Sequence, residues 1–324
     1  NDHRLGANEA PPAIISVFLG DALSPVVDAL IKKEHVESPD REQIDLGVPA
    51  LPDVLRDNTD RNRTSPFAFT GNKFEFRMCG SQQNLSDPNV VLNTAVAEQL
   101  DRFCAYVSNC PDEPFKATAL RFVRHSFRDH QRIIFDGNGY DDEWEQEAAR
   151  RGLPNLKGTA DALPCLIDPK NIALFERYDV LSESEIHARY AAASEQYAKL
   201  LNIEANTMSY MVRHLYLPAL IDYSGNLATS IATKREIGIV GRAEQALAQQ
   251  ITDGIDKICE NVGRLESKNA EARRIKDCGE QDRFYHDEVI PVMDALREAV
   301  DGMEHICGRD FWPVPSYNKM LFWV

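Results

Sequence analysis

The densest chemistry in this 324-residue chain sits in two neighbouring runs, Asp60-Arg61-Asn62-Arg63-Thr64-Ser65-Pro66 and Lys73-Phe74-Glu75-Phe76-Arg77. The second run alternates strictly. As a β-strand it sets Lys73, Glu75 and Arg77 on one face and Phe74 and Phe76 on the other, where the phenylalanines anchor it in a core. Glu75 and Arg77 then stand roughly 7 Å apart, looking into the same space. Carboxylates suit hard divalent cations, and guanidinium forks suit carboxylates and phosphates. A face offering both can handle a metal-bound phosphate beside an acidic substrate. Polar-out alternation also describes an ordinary strand whose wet side carries Glu and Arg as decoration. Concentration favours chemistry, because Arg61, Arg63, Arg77 and Glu75 converge on one hairpin in a chain of net charge −15.

These groups need a frame. Phe67-Ala68-Phe69-Thr70, the turn Gly71-Asn72 and the run from Lys73 to Arg77 predict a β-hairpin with a two-residue turn. Ahead of it, the charged stretch from Asn1 to Pro12 holds Arg4 and Glu9 and leads into the apolar run Ala13 to Leu19, a buried strand bounded by Pro12 and Gly20. A loop entering a buried strand presents polar groups from a rigid scaffold. Residues 1–80 read as strands and loops, with 32–58, which hold Pro39, Pro49 and Pro52, as a long surface connection.

From Pro88 the pattern turns helical. Val91, Ala95, Leu100, Phe103 and Cys104 form an apolar stripe, and the stretch from Phe115 to Phe135 repeats the theme; both helices are expected to pack against the sheet. Beyond about residue 155 helices stand alone. Ser182-x-x-Glu185 is a capping box opening a long helix. Ile186, Tyr190, Ala193, Tyr197 and Leu200 recur at helical spacing, as do Ile251, Ile255, Ile258, Val262 and Leu265, and Val289, Met293, Leu296, Val300 and Met303. Three such stripes predict an antiparallel bundle, with Pro218 and Pro291 kinking or interrupting its helices.

Composition excludes some functions. With 51 Asp+Glu against 36 Lys+Arg, nucleic acid is not the expected partner. No apolar stretch approaches the ~20 residues that cross a bilayer. The seven scattered cysteines lack any Cys-x-x-Cys and read as reduced, mostly buried thiols of a cytoplasmic protein. Asp136-Gly137-Asn138-Gly139-Tyr140-Asp141 has the look of a calcium loop, but Tyr140 and Asp141 stand where a ligand and a glycine are required, so a tight turn capping a helix from Asp141 is expected. His125 and His130 are five apart and do not share a helix face. His214, in an apolar helix, reads as a core histidine.

In order and spacing, Arg4…Asn8-Glu9-Ala10-Pro11, Asn62-Arg63-Thr64 and Lys73-Phe74-Glu75-Phe76-Arg77 resemble the catalytic domain of glutamine synthetases. The wording from Asp2 to Pro12 and from Pro66 to Lys73 is similar to the large type III branch. The likeness continues through Asp136 to Tyr140, Arg151 to Asn155 and the helical C-terminus, and covers essentially the whole chain. The fold it implies is α+β, predominantly α. Residues 1–155 would be the C-terminal part of the glutamine synthetase catalytic α/β domain, a few antiparallel strands plus packing helices. Residues 156–324 would be the helical bundle extension of type III enzymes. A β-grasp domain, further metal-binding glutamates and an ATP-binding segment would lie upstream, leaving residues 1–324 inactive alone and the strand from Ala13 without its sheet partners.

The resemblance implies ATP-dependent ligation of ammonium to L-glutamate through a γ-glutamyl phosphate, with Mg2+ or Mn2+. Glu75 would ligate the nucleotide-side metal, Arg63 would contact the ATP phosphates and Arg77 the substrate carboxyl or transferring phosphate. Arg4 would hold glutamate, and Glu9 would close the site and help deprotonate ammonium. Lys73 stands near an expected ATP-binding lysine. The Arg4-to-Glu9 spacing is one residue shorter than in the shorter bacterial enzymes, and Ala68 and Thr70 replace an arginine and a lysine found there. A homo-oligomer of stacked rings, a dodecamer, is implied as well. The alternatives are a ligase joining glutamate to a larger amine and a non-catalytic structural homologue; five retained polar site residues argue against the latter.

Overall fold

The computed structural model describes residues 14–33, 43–44, 54–55, 67–69, 73–76, 84–315 and 317–321. Within them the chain is α+β and mostly helical. It divides into two compact units, Asn1–Ile186 and His187–Val324. The division falls at 186 rather than at 155 because the helices between these positions pack back on the first unit.

The first unit runs β1 (Val17–Phe18), α1 (Gly20–Lys32), β2 (Gln43–Ile44), β3 (Val54–Leu55), β4 (Phe67–Phe69), β5 (Phe74–Phe76), α2 (Ser86–Ser108), α3 (Phe115–Asp129), α4 (Asp142–Arg150), α5 (Thr159–Ala162) and α6 (Pro169–Arg177). β1, β4 and β5 form one sheet in that order. β4 and β5 make the expected antiparallel hairpin, but β1 joins β4 in parallel, so the sheet is mixed rather than antiparallel. β1 therefore has partners. An isolated parallel bridge links Val17 of β1 to Ile134, which is in no named strand.

Other expectations change. The apolar run from Ala13 narrows to the two-residue strand β1, flanked by the buried Ile14 and Leu19, while Ile15 is 48% exposed. The segment after it is not loop but α1, whose Val27 is buried and whose periodicity (Leu23, Val27, Leu30, Ile31) was legible in sequence. Within 32–58, β2 and β3 pair as a small antiparallel ribbon. Among the described residues α2 packs on α3 and α6, and α3 on α1. Phe103 and Tyr106 of α2 meet Phe122 of α3 at 5.2 and 5.3 Å between ring centroids. Glu98 of α2 accepts from Arg177 at 3.0 Å, and Asp101 from Tyr178 at 3.3 Å, which ties the end of α6 into this unit.

The second unit carries most of α7 (Glu183–Met211), then α8 (Leu217–Glu236), α9 (Arg242–Ala272), α10 (Cys278–Phe284), α11 (Ile290–Glu304) and α12 (Tyr317–Leu321). The capping box forms as read: Ser182 N–H donates to Glu185 at 2.8 Å and Glu185 N–H to Ser182 Oγ at 3.4 Å. α9 is the spine, packed by α8 and α11. Its Ile251, Ile258, Val262 and Leu265 are buried, as are Val289, Leu296 and Val300. The α7 stripe drifts from the expected Leu200, 47% exposed, to the buried Leu201 and Ala205.

Pro218 and Pro291 interrupt the α-helical ladder without ending the helices. Each is preceded by a π-helical turn, Val212–Tyr216 and Tyr285–Val289. A proline ring collides with the carbonyl four residues back, here that of His214 or Asp287 inside the widened turn. Leu217 and Ile290 N–H groups reach five residues back, to Val212 and Tyr285. His214 sits exposed on its turn, 4.6 Å from the Tyr210 ring, rather than in the core. The described cysteines also depart from expectation: Cys104, Cys165 and Cys259 are exposed, and Cys110, Cys278 and Cys307 only partly buried.

Leu265→Ala removes a fully buried side chain from the spine and should cost about 2–5 kcal/mol of unfolding free energy in denaturant titration. Leu200→Ala, on the exposed side of α7, should stay within about 0.5 kcal/mol. Equal effects would mean that the buried face has been misassigned.

Candidate functional site

Two sequence-predicted site residues, Lys73 and Glu75, fall within the described part of the chain; Arg4, Glu9, Arg63 and Arg77 lie outside it. The hairpin register pairs Phe67 with Phe76, Ala68 with Glu75 and Phe69 with Phe74. Lys73 Nζ stands 3.3 Å from Glu75 Oε1, so these side chains share a face as the alternation requires. On the other face Phe67 stacks on Phe74 at 5.4 Å, with planes 9° apart, and meets Phe76 at 6.4 Å. These cross-strand contacts hold the hairpin together. They do not bury it fully: Phe74 is 45% exposed and Phe76 half-buried, so the anchor is an aromatic cluster on a sheet face rather than a closed core. The Glu75 side chain is 38% exposed.

Topology adds a fact about the ends of the strands. β1 and β4 run parallel and β5 runs back, so the starts of β1 and β4 and the finish of β5 lie at one end of the sheet. Arg77 is the next residue after β5, Arg63 stands shortly before β4, and Glu9 and Arg4 lie on the chain that leads into β1.

The C-terminal end of β1 is held by residues not singled out for this role. The Asp136 carboxylate accepts from Leu19 N–H at 2.8 Å, from Gly20 N–H at 2.9 Å and from the Ser24 hydroxyl, capping α1 where it leaves β1. Gly20 takes φ 76°, a left-handed conformation suited to glycine at this sharp junction. Phe135 N–H donates to Val17 C=O at 3.0 Å, and the Phe135 ring stacks on Trp144 at 3.7 Å. Gly137 leaves room for that ring, since a Cβ there would come within 2.6 Å of it. Ile14, Trp144, Ala148 and Leu153 form the small core beneath. The expected turn is present too: Asn138 accepts from Tyr140 N–H at 3.1 Å and donates to Asp141 at 2.6 Å.

The motif from Arg151 completes this support. Arg151 donates to Glu147 at 2.5 Å and to Ile134 C=O at 2.9 Å, with its guanidinium 5.5 Å from the Trp144 ring centre. Gly152, at φ 69°, ends α4: Gly152 N–H reaches Ala149 C=O at 3.0 Å and Leu153 N–H reaches Ala148 C=O at 2.9 Å. This is a Schellman cap, closed by apolar contact between Leu153 and Ala148.

Comparison with known proteins agrees with the motifs. A family profile described as the glutamine synthetase C-terminal domain matches residues 119–235. The type-3 glutamine synthetase of Dictyostelium discoideum is 38% identical over 330 residues, covering 99% of this chain and 45% of that protein. Along nearly its whole length the chain is similar to a glutamine synthetase. A glutamine synthetase of Butyrivibrio fibrisolvens is 36% identical and one of Bacteroides fragilis 32%, each over 99% of this chain and 46% of its own length. The chain thus spans about half the length of the relatives it matches.

Within the glutamine synthetase family frame, Glu75 offers the hard oxygen donor that Mg2+ or Mn2+ takes. Among the described residues, however, no cluster of three or more His, Cys, Asp or Glu side chains could hold an ion. No helix among the described residues is long and apolar enough to cross a membrane.

Glu147 is held well below the usual carboxylate range, at about 2 against 4.5, by hydrogen bonds from Arg150 and then Arg151. A carboxylate depressed in the folded state stabilises it above its unfolded pKa, and that contribution is lost as pH falls from about 4.5 toward 2. The pair is partly solvent-exposed, so the effect is modest. Denaturation midpoints followed across this window should fall more steeply for the parent chain than for Glu147→Gln. Parallel curves would remove the latch between Glu147 and the two arginines from the account of α4.

Proposed function

We propose that the protein of which this chain is part joins ammonia to L-glutamate at the expense of ATP, giving L-glutamine. The observation that carries this reading is similarity to three proteins named glutamine synthetase along 99% of the chain. The sheet topology supports it, because the strand ends that connect to Arg4, Glu9, Arg63 and Arg77 face the same way.

A carboxylate is a poor electrophile. A γ-carboxylate oxygen of glutamate therefore first takes the γ-phosphoryl group of ATP, releasing ADP. Ammonia then attacks the acyl carbon, and phosphate leaves. Arg4 holds the glutamate. Arg63 and Arg77 neutralise charge on the transferring phosphoryl group, which is most of what such a step requires. Lys73 contributes to ATP binding. Glu9 accepts the proton that ammonium must lose and shields the acyl phosphate from water. Glu75 supplies one ligand to a divalent cation, which when bound balances phosphate charge. We infer further that the protein is a cytoplasmic homo-oligomer of stacked rings, a dodecamer.

The test is glutamine formation by the full-length protein with glutamate, ATP and either ammonium or alkylamines. Ammonium should be strongly preferred; preference for an alkylamine would point to the larger-amine ligase, and no turnover with any amine to a structural homologue. Glu75→Ala should lower turnover about 100-fold or more and raise the Mg2+ or Mn2+ concentration needed for half-maximal rate. Near-normal rates at ordinary metal concentration would remove Glu75 from the site. Glu9→Ala should slow glutamine formation while nucleotide affinity stays within about threefold. Lost nucleotide binding with retained turnover would contradict that role.

A further inference from the structure

We propose that Asp136 is a positioning residue for the reaction, acting through β1 on the neighbouring β4–β5 hairpin that carries Lys73 and Glu75; this rests on the glutamine synthetase reading above. Asp136 lies more than 100 positions from β1 in sequence, yet its carboxylate gathers three donors at the junction where β1 becomes α1: Leu19 N–H, Gly20 N–H and the Ser24 hydroxyl. Two are backbone N–H groups at the start of a helix, which lack an intrahelical partner and carry the positive end of its dipole. The chain just before Asp136 is bound to β1 as well, through the Val17–Ile134 bridge and the Phe135 N–H to Val17 C=O bond.

β1 is only two residues long, so its own ladder fixes it weakly. The clamp at its C-terminal end adds to the Val17–Ile134 bridge and the Phe135 N–H bond in holding it against sliding or rotation. Any shift of β1 is passed through the parallel ladder to β4, and so to the β4–β5 hairpin that carries Glu75 and Lys73. Asp136 sets where β1 ends. Misplacement of reacting groups by about 1 Å can cost on the order of 100-fold in rate. Substrate contact plays no part in this role, which is geometric.

The test uses the full-length enzyme carrying Asp136→Ala, Asp136→Asn or Ser24→Ala. Steady-state kinetics are measured at 25 °C, with hydrogen exchange followed at the Leu19 and Gly20 amides. Asp136→Ala should lose about tenfold or more in kcat/KM for ammonium, with faster exchange at both amides. Asp136→Asn keeps a carbonyl for the two amides and an amide group facing Ser24, so it should stay within about threefold. Ser24→Ala removes one donor of three and should lose about two- to threefold, which provides a readout if Asp136→Ala does not fold. Parent kinetics with faster exchange in Asp136→Ala would overturn the proposal. So would an Asp136→Asn enzyme as impaired as Asp136→Ala, or a Ser24→Ala enzyme unchanged in both kinetics and exchange. If the parent enzyme forms no glutamine, the reaction itself is wrong and this role falls with it, whereas failure of the clamp alone leaves parental turnover intact.

Discussion

The Asp136 carboxylate meets the first backbone N–H groups of α1, and the arrangement of the first unit depends on that contact. A helix start leaves N–H groups with no partner inside the helix, and burying them unpaired is costly. Here the acceptor comes from a distant part of the chain. Closing so long a loop costs only slightly more than closing a short one, because the entropy grows with the logarithm of length. In return, one residue joins the end of β1, the start of α1 and the bridge at Ile134. The Phe135–Trp144 stack, the space left at Gly137 and the Arg151 latch onto Ile134 C=O all serve to hold Asp136 where those N–H groups are.

The second unit depends on a different constraint. Prolines at 218 and 291 cannot continue an α-helical ladder, and each is accommodated by a π-helical turn ahead of it. Both turns are fastened to the same helix. Arg213 of the first makes a two-pronged contact with Glu266 of α9, at 2.5 and 2.6 Å. Glu288 of the second pairs with Lys268 of α9 at 2.8 Å. Tyr285, buried in the second turn, donates to Asn269, which in turn donates to Asn202 and Asn206 of α7. Buried polar groups satisfied in this way fix one register among the helices, because any slip leaves them unpaired. The apolar stripes bring the helices together, and the polar links decide how they align.

Legibility in the sequence followed the physical range of each signal. The hairpin, the capping box, the α9 and α11 stripes and the disturbance at both prolines are set by neighbours a few residues apart, and all could be read. α1 was not legible as a separate element, because its apolar period follows directly on the apolar run that ends at Leu19. The split at 186 rather than 155 was not readable, since it rests on Arg177 and Tyr178 finding Glu98 and Asp101 across the unit. At the site, the shared face of Lys73 and Glu75 was legible from alternation. The roles of Asp136, Phe135 and Arg151 were not. The motifs holding Asp136 and Arg151 stood out as family wording, but no local pattern marks which distant backbone they meet.

Sequence alone determined the residue types of the candidate site, the family to which the motifs belong and the mostly helical character of the chain. Those properties reside in local spacing and in short runs of side chains. Tertiary structure alone decided that β1 lies parallel to β4, which turns three strand ends the same way, and that one carboxylate caps α1 from across the unit. Strand pairing and long-range capping are chosen by which backbone groups remain unsatisfied once the apolar surfaces have closed. That choice is made among all parts of the chain at once, so no local pattern records it.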